Sequence, residues 1–321
     1  MHKNIAISII VPVFNMEAHI SECLKSICRQ TLKNIEIVCI DDGSTDSSLQ
    51  MLHNAAKTDD RIVVLTQPNQ GVGKVRNRGI DAAQGEFISF MDPDDKYATD
   101  EILEQLYNKA IEYGVQVCGG ELAEFKSDSD PIHPIKLPEK YGLHYYEKEG
   151  IIEYKDYQFD YGFQRYIYKT RFLKENDIYF PPYVRFQDPP FMVKALIKAV
   201  KFYGLKKLMY AYRVSHKQVG WNEKKTEDAF QGLKDVWDMA CKYNLPKLKW
   251  FTVQHMADHF NRTKPYQQKK HQKLMYACDV AVFRKRKNLG RFLYSKQDNF
   301  LTKGLKLTTI LGFDFISINE E

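Results

Sequence analysis

The sequence has no apolar run of the ~20 residues that a membrane-spanning helix needs; its longest, such as Ile5–Phe14, stop near ten. No cationic leader or small-residue cleavage site precedes Ile5, so no signal peptide is expected. It also lacks any CxxC pair: six cysteines are scattered at 23, 28, 39, 118, 241 and 278. That spacing argues against a zinc site and against a secreted disulfide framework, and a reducing cytoplasm is the expected setting. The one glycine-rich turn, Gly71-Val72-Gly73-Lys74, fits neither GxGxxG nor GxxxxGK[ST], so the dinucleotide and P-loop fingerprints are both missing. No internal repeat is found.

What is present is an ordinary folded composition, with 44% apolar and 27% charged residues in 321. The length suggests about two domains, or one α/β domain with an appendage. The net charge of +6 is unevenly placed. Residues 1–261 carry 34 Lys/Arg against 36 Asp/Glu, whereas residues 262–307 carry 13 against 2.

The first half alternates strand and helix signals. Ile5–Phe14, Ile35–Ile40, Arg61–Leu65 and Glu86–Met91 are apolar and β-branched or aromatic, as strands buried on both faces are. Helical spacing follows in Glu17–Thr31, after Ser44 or Thr45 as an N-cap, in Gly73–Ala83 and in Thr99–Tyr113. Val115–Gly119 again reads as strand. This βαβα order predicts an α/β, doubly wound, mostly parallel sheet. Further on, we expect a helix at Lys169–Asn176, a short strand near Ile178–Phe180, a helix from Asp188 to Ala199 and a hairpin in Lys201–Tyr212. From Thr226 the pattern is helical. The expected boundaries are a domain at 1–220, divided into 1–125 and 126–220, and a basic helical region at 221–321.

In such sheets ligands bind beyond the carboxyl ends of the strands. Three polar clusters fall there: Asn15 and Glu17, Asp41 and Asp42, and Asp92-Pro93-Asp94-Asp95. Three carboxylates within four residues repel one another, and a fold tolerates them best where a cation neutralises them. Hard oxygen ligands suit Mg²⁺ or Mn²⁺ bridged to a diphosphate; an acidic turn at a helix start is the alternative. With Ser44 or Thr45 capping the helix, Asp42 is expected to be left for a ligand. Arg76, near the glycine turn that opens a helix, adds a fork-shaped donor suited to phosphate.

Taken together, "SIIVPVFN" (8–15), "IEIVCIDDGSTDSS" (35–48), "NQGVGKVRNRGI" (69–80) and "GEFISFMDPDD" (85–95) resemble the nucleotide-sugar half of an inverting family-2 glycosyltransferase with the GT-A fold. "IYKTRFLKENDIYF" (167–180), "VRFQDPPF" (184–191) and "YRVSHKQVG" (212–220) are similar to that family's acceptor side. The resemblance implies a metal-dependent transfer of a hexose or N-acetylhexosamine from a nucleotide diphosphate, with UDP expected. The acceptor would be a hydroxyl of a glycan or glycolipid in bacterial surface polysaccharide or lipooligosaccharide synthesis. It implies that Val13, Asn15 and Asp42 line the nucleoside pocket, with Pro12 shaping the strand end and Glu17 beside them. Arg76 would contact base or diphosphate. Asp92 and Asp94 would be the DxD pair, Asp94 on Mn²⁺ or Mg²⁺ and Asp92 on ribose or metal-bound water. Asp95 would face donor sugar or acceptor, and Asp188 would be the catalytic base. The family's usual Glu-Asp pair reads Gln187-Asp188 here, which touches acceptor recognition. Arg213 and His216 are secondary candidates, Arg213 for the acceptor and His216 for the diphosphate or metal.

The base role can also be argued from chemistry. An attacking hydroxyl must lose a proton, and an aspartate of ordinary pKa, ~3.9, is ionised at neutral pH. Ten of the twenty tyrosines lie in residues 141–183. Most should pack, but one or two, Tyr161 or Tyr166, are expected to stack on an acceptor sugar. The basic segment 262–307 reads as a solvated helical face or a patch for an anionic membrane surface, which would make the enzyme peripheral on the inner face of the cytoplasmic membrane. No nucleic-acid-binding module accompanies it. The helical end is a candidate homodimer surface. The competing readings are a sugar-nucleotide pyrophosphorylase, which would need a lysine-bearing glycine loop after the first strand, and a non-catalytic glycan- or membrane-binding scaffold.

Overall fold

A computed structural model describes residues 5–135, 146–214, 220–260, 305–310 and 313–318. The chain divides into two compact units, 1–220 and 221–321.

In the first unit, β1 (Ile7–Val13), β2 (Ile35–Asp41), β3 (Ile62–Thr66) and β4 (Phe87–Phe90) run parallel in the order β3-β2-β1-β4. Every residue of β1, β2 and β4 is buried, which is why these segments read as unbroken apolar runs rather than alternating ones. Helices α1 (Ile20–Cys28), α2 (Ser48–Ala56) and α3 (Val72–Ala82) connect them. α3 lies close on β1: a Cβ at Gly79 would sit 2.4 Å from Ile10 Cγ2. Beyond β4 the sheet continues as β9 (Tyr166–Lys169), β6 (Val117–Phe125), β10 (Lys201–Arg213) and β5 (Lys96–Tyr97). There β9 is antiparallel to both neighbours, while β6 and β10 are parallel. The short strands β7 (His133–Pro134) and β8 (Gly150–Glu153) pair at the margins. α4 (Ile102–Glu112), α5 (Tyr154–Tyr157), α6 (Thr170–Glu175) and α7 (Asp188–Ala199) complete the unit.

Three local expectations are corrected. Lys201–Tyr212 is one long strand with irregular register between Gly204 and Tyr210, not a hairpin. The Ile178–Phe180 segment joins no sheet, because the Phe180 backbone is taken by a side chain: Phe180 N donates to Asn77 Oδ1, and Asn77 Nδ2 donates to Phe180 O, both at 2.8 Å. α2 starts at Ser48 after Ser47, so neither Ser44 nor Thr45 is its cap.

The second unit holds α8 (Glu223–Lys242), capped by Asn222 Oδ1 accepting from Lys225 N at 2.9 Å, and α9 (Pro246–Phe260). Phe230, Leu233, Val236, Trp237 and Ala240 are buried on α8, at the spacing of one helical face. The unit also carries an antiparallel pair, β11 (Leu305–Ile310) and β12 (Phe313–Ile318), which the helical reading of this region did not foresee. Most of the basic segment 262–307 lies outside the described residues. Among the described residues no helix is long and apolar enough to cross a membrane.

Candidate active site

The loops beyond β1, β2 and β4, with the start of α3, gather the predicted polar residues, though in other roles than expected. Pro12 and Val13 are buried strand residues, and Val13, 1% exposed, packs in the core rather than lining a pocket. Asn15 is exposed and left-handed, with φ +53°. It locks the loop after β1 onto the loop after β2: Asn15 N donates to Ser44 Oγ, and Thr45 N donates to Asn15 Oδ1. Glu17 repeats the exchange, donating its N–H to Asp46 Oδ2 and accepting from Ser47 N at 2.9 Å.

Asp42 is not left open. Its buried carboxylate accepts from Gln67 Nε2 at 2.8 Å and from Gln70 N and Gly71 N at 2.9 Å. It thereby fixes the turn before α3, where Gly71 has φ +88°, a conformation costly for residues with a Cβ. Asp41 likewise accepts from Gly43 N and Ser44 N.

Arg76, on the first turns of α3, is 5% exposed. Its Nη2 donates to Asp92 Oδ1 at 2.7 Å, and its guanidinium lies 4.6 Å above the Phe163 ring and 5.3 Å from that of Phe180. Phe180 is itself stacked on Phe191 at 3.9 Å. A cation on such faces gains roughly 0.5–2 kcal/mol, and removing either member of so enclosed an ion pair typically costs about 3–5 kcal/mol. Gln164 Nε2 donates to the other Asp92 oxygen at 3.1 Å. Each Asp92 oxygen thus has a partner within the protein, and each keeps acceptor capacity beyond it.

Asp94 and Asp95 are both buried. Asp95 is engaged from within the fold: Tyr210 Oη donates to its Oδ2 at 2.6 Å and Arg213 N to its Oδ1 at 2.8 Å. Arg213 is buried too, bonded to Asp94 O and Asp128 and lying over the Phe125 ring, so it braces the acidic loop rather than an acceptor. Among the described residues no three His, Cys, Asp or Glu side chains form a ready metal cage. Asp92 and Asp94 are an all-oxygen pair, a donor set suited to a hard divalent ion that takes its other ligands from a diphosphate. His216 lies outside the described residues.

Asp188 is the first residue of α7, following Gln187 and a left-handed Phe186 with φ +60°. It is therefore not the cap of its helix but an acid in the first turn. Burial raises its pKa above the ordinary 3.8, against the opposing pull of Arg76 and Arg185, and Asp92 adds to the rise. The simple expectation of an untuned aspartate is corrected: this carboxylate is tuned upward. Gln187 is buried, its Cγ 3.6 Å from where a Cβ on Gly73 would lie, so it packs against α3. Tyr166 is fully buried and packed with Phe202 and Tyr168, whereas Tyr161 is 42% exposed. Only Tyr161 of these two has a surface to offer a sugar. Gln164, Phe163, Phe180 and Tyr210 were not foreseen; only position between the acidic cluster and Asp188 could have pointed to the first three.

A model of the family described as "Glycosyl transferase family 2" matches residues 8–175, just over half of the chain. The chain belongs to this family. The glycosyltransferase is 34% identical over 209 residues to the uncharacterized glycosyltransferase EpsJ of Bacillus subtilis, covering 64% of this chain and 60% of the relative. It is 36% identical over 202 residues to a poly(ribitol-phosphate) beta-glucosyltransferase of Bacillus spizizenii, covering 61% of this chain and 30% of that one. The matches thus span less than two thirds of either curated relative. The fold is similar to the crystal structure of S. aureus TarS 1–349 in complex with UDP-GlcNAc, with a TM-score of 0.63, 20% identity, and 98% and 97% of the two chains covered. The glycosyltransferase therefore has the expected GT-A fold.

Proposed function

We propose that the chain transfers a hexose or N-acetylhexosamine from a UDP-sugar to a hydroxyl of a glycan or glycolipid, inverting the anomeric configuration. The observation that carries this reading is Arg76, which pairs with Asp92 and also lowers the pKa of Asp188 through its charge. One cation therefore links the acidic loop to the carboxylate best suited to be the base. The UDP-GlcNAc bound by TarS, a protein of similar fold, favours a UDP-sugar donor.

In this reading Asp188 accepts the proton of the attacking hydroxyl, and Arg76 stabilises charge on the departing diphosphate. Asp92 and Asp94 would hold Mn²⁺ or Mg²⁺, which when bound neutralises that same charge. Gln164 keeps Asp92 oriented, and the locked loops after β1 and β2 border the nucleoside. Tyr161 is the acceptor-side aromatic. The basic segment 262–307 would hold the enzyme at an anionic membrane surface where a glycolipid acceptor lies.

The test is a screen of nucleotide sugars with Mn²⁺ present, read as released nucleotide. Release of UDP from at least one UDP-sugar, raised by a glycan acceptor, is expected. No release from any UDP-sugar, or release from a non-UDP donor alone, sinks the donor assignment.

A further inference from the structure

The last residues of β10 hold the acidic loop by four hydrogen bonds. Asp92 N donates to Tyr210 Oη at 3.1 Å, and that hydroxyl donates onward to Asp95 Oδ2 at 2.6 Å. Arg213 N donates to Asp95 Oδ1 and Arg213 Nε to Asp94 O, both at 2.8 Å. None of the four uses the Asp92 or Asp94 carboxylate. The hydroxyl of Tyr210 acts as donor and acceptor at once, its full capacity toward two partners. Asp95 is 1% exposed and Tyr210 is also 1% exposed, so water does not compete for these bonds. Strand pairing reinforces them, since Tyr97 and Lys96 of β5 pair with Tyr210 and Ala211 of β10.

We propose that Asp95, Tyr210 and Arg213 are positioning residues: they clamp the backbone of residues 92–95 so that the Asp92 and Asp94 carboxylates are presented to the donor diphosphate. This rests on the function proposed above. Asp95 thus acts by turning inward, through its two acceptor oxygens, rather than by touching a sugar. A buried hydrogen bond to a charged group is worth enough that losing one changes an equilibrium about 10- to 100-fold, so loosening the clamp reaches the reaction through donor binding and leaves acceptor binding alone.

The decisive variant is Tyr210→Phe, which keeps the ring and removes the hydroxyl; Asp95→Asn is the second, keeping the side-chain shape. Two measurements are made on the full chain. Amide hydrogen exchange of the segment 91–98 should quicken about tenfold or more in both variants. For the UDP-sugar that the unsubstituted protein turns over, kcat/KM should fall at least about tenfold, and half-saturating Mn²⁺ should rise, with the acceptor KM unchanged. Unchanged exchange at 91–98 overturns the clamp whatever the activity. Faster exchange with wild-type kcat/KM and Mn²⁺ response overturns the positioning role and leaves a merely structural bond. If the unsubstituted protein turns over no nucleotide sugar, the proposed function fails, while the exchange measurement still decides the clamp.

Discussion

In the half of the sheet from β3 to β4, buried carboxylates are held largely by donors on nearby backbone; in the half from β9 to β10, a buried cation is held by rings. Asp41, Asp42 and Glu36 each accept at least one backbone N–H, and Glu36 also accepts from Ser8 Oγ. Across the sheet, Arg165 is fully buried among Tyr146, Tyr166 and Tyr157, bonded to the Tyr157 hydroxyl, with its guanidinium 4.6 Å from the Tyr146 ring centre. Tyrosine is neutral at physiological pH, and burial pushes the Tyr146 and Tyr157 hydroxyls further above the usual range, so the rings meet the cation as neutral faces. The first half shapes loops, because a carboxylate with several acceptor sites can gather turns. The second builds a rigid wall, because aromatic rings fill volume and fix one another's angle.

The largest test of this division falls where the halves meet. Asp188→Asn should lower transfer by about 10²–10⁴-fold while UDP binding, measured by calorimetry, stays close to normal; ordinary turnover removes Asp188 as the base. Next, the wall should be far more sensitive than the surface beside it. Tyr166→Ala should cost about 3–5 kcal/mol of folding stability, as large aromatic deletions do. Tyr161→Ala should stay within about 0.5 kcal/mol and instead raise the acceptor KM. Equal effects in denaturant unfolding would erase the contrast. In the loop-shaping half, Gly79→Ala should cost about 1–3 kcal/mol by forcing α3 off Ile10, and a neutral result would mean that α3 shifts freely.

The smallest effect is in pH. Since burial raises the Asp188 pKa, the base is protonated at higher pH than a free aspartate. The acid limb of kcat/KM should therefore lie above the ordinary 3.8, and a limb at or below that value would deny the burial effect. The stability sign follows from the same shift. A carboxyl with a higher pKa folded than unfolded favours the fold below the unfolded pKa, and that contribution is lost as pH rises through the folded one. At neutral pH Asp188→Asn should consequently melt no lower than the unsubstituted chain.

The parallel half was legible because its letters carry local meaning: unbroken apolar runs give strands buried on both faces, and acidic or glycine-rich stretches fall at their ends. The gathering of those polar stretches at one end of the strands, the candidate site, was readable for the same reason. The direction of individual side chains was not. Asp42 and Asp95 have the composition of ligand contacts, yet their oxygens are taken by Gly71 N and Tyr210 Oη, partners 29 and 115 residues away. Tyrosine was harder still, since Tyr161 and Tyr166 are five positions apart and differ from 42% to 0% exposed. Nothing in a tyrosine's immediate neighbours says whether it will meet the core or the surface. The single strand over Lys201–Arg213 differs from the expected hairpin, and Gly204 lies inside it at a close contact, where a Cβ would meet Ile152 and Tyr146 below 3 Å.

The exchange of bonds between Asn15–Glu17 and Ser44–Ser48 has a consequence for engineering. Asn15, Met16 and Glu17 each donate a backbone N–H to the second loop, which returns bonds from Thr45 and Ser47. The two loops are therefore one spare part in two pieces of sequence. A chimera that imports either loop from a relative inherits half a lock, whereas importing both together carries the lock intact.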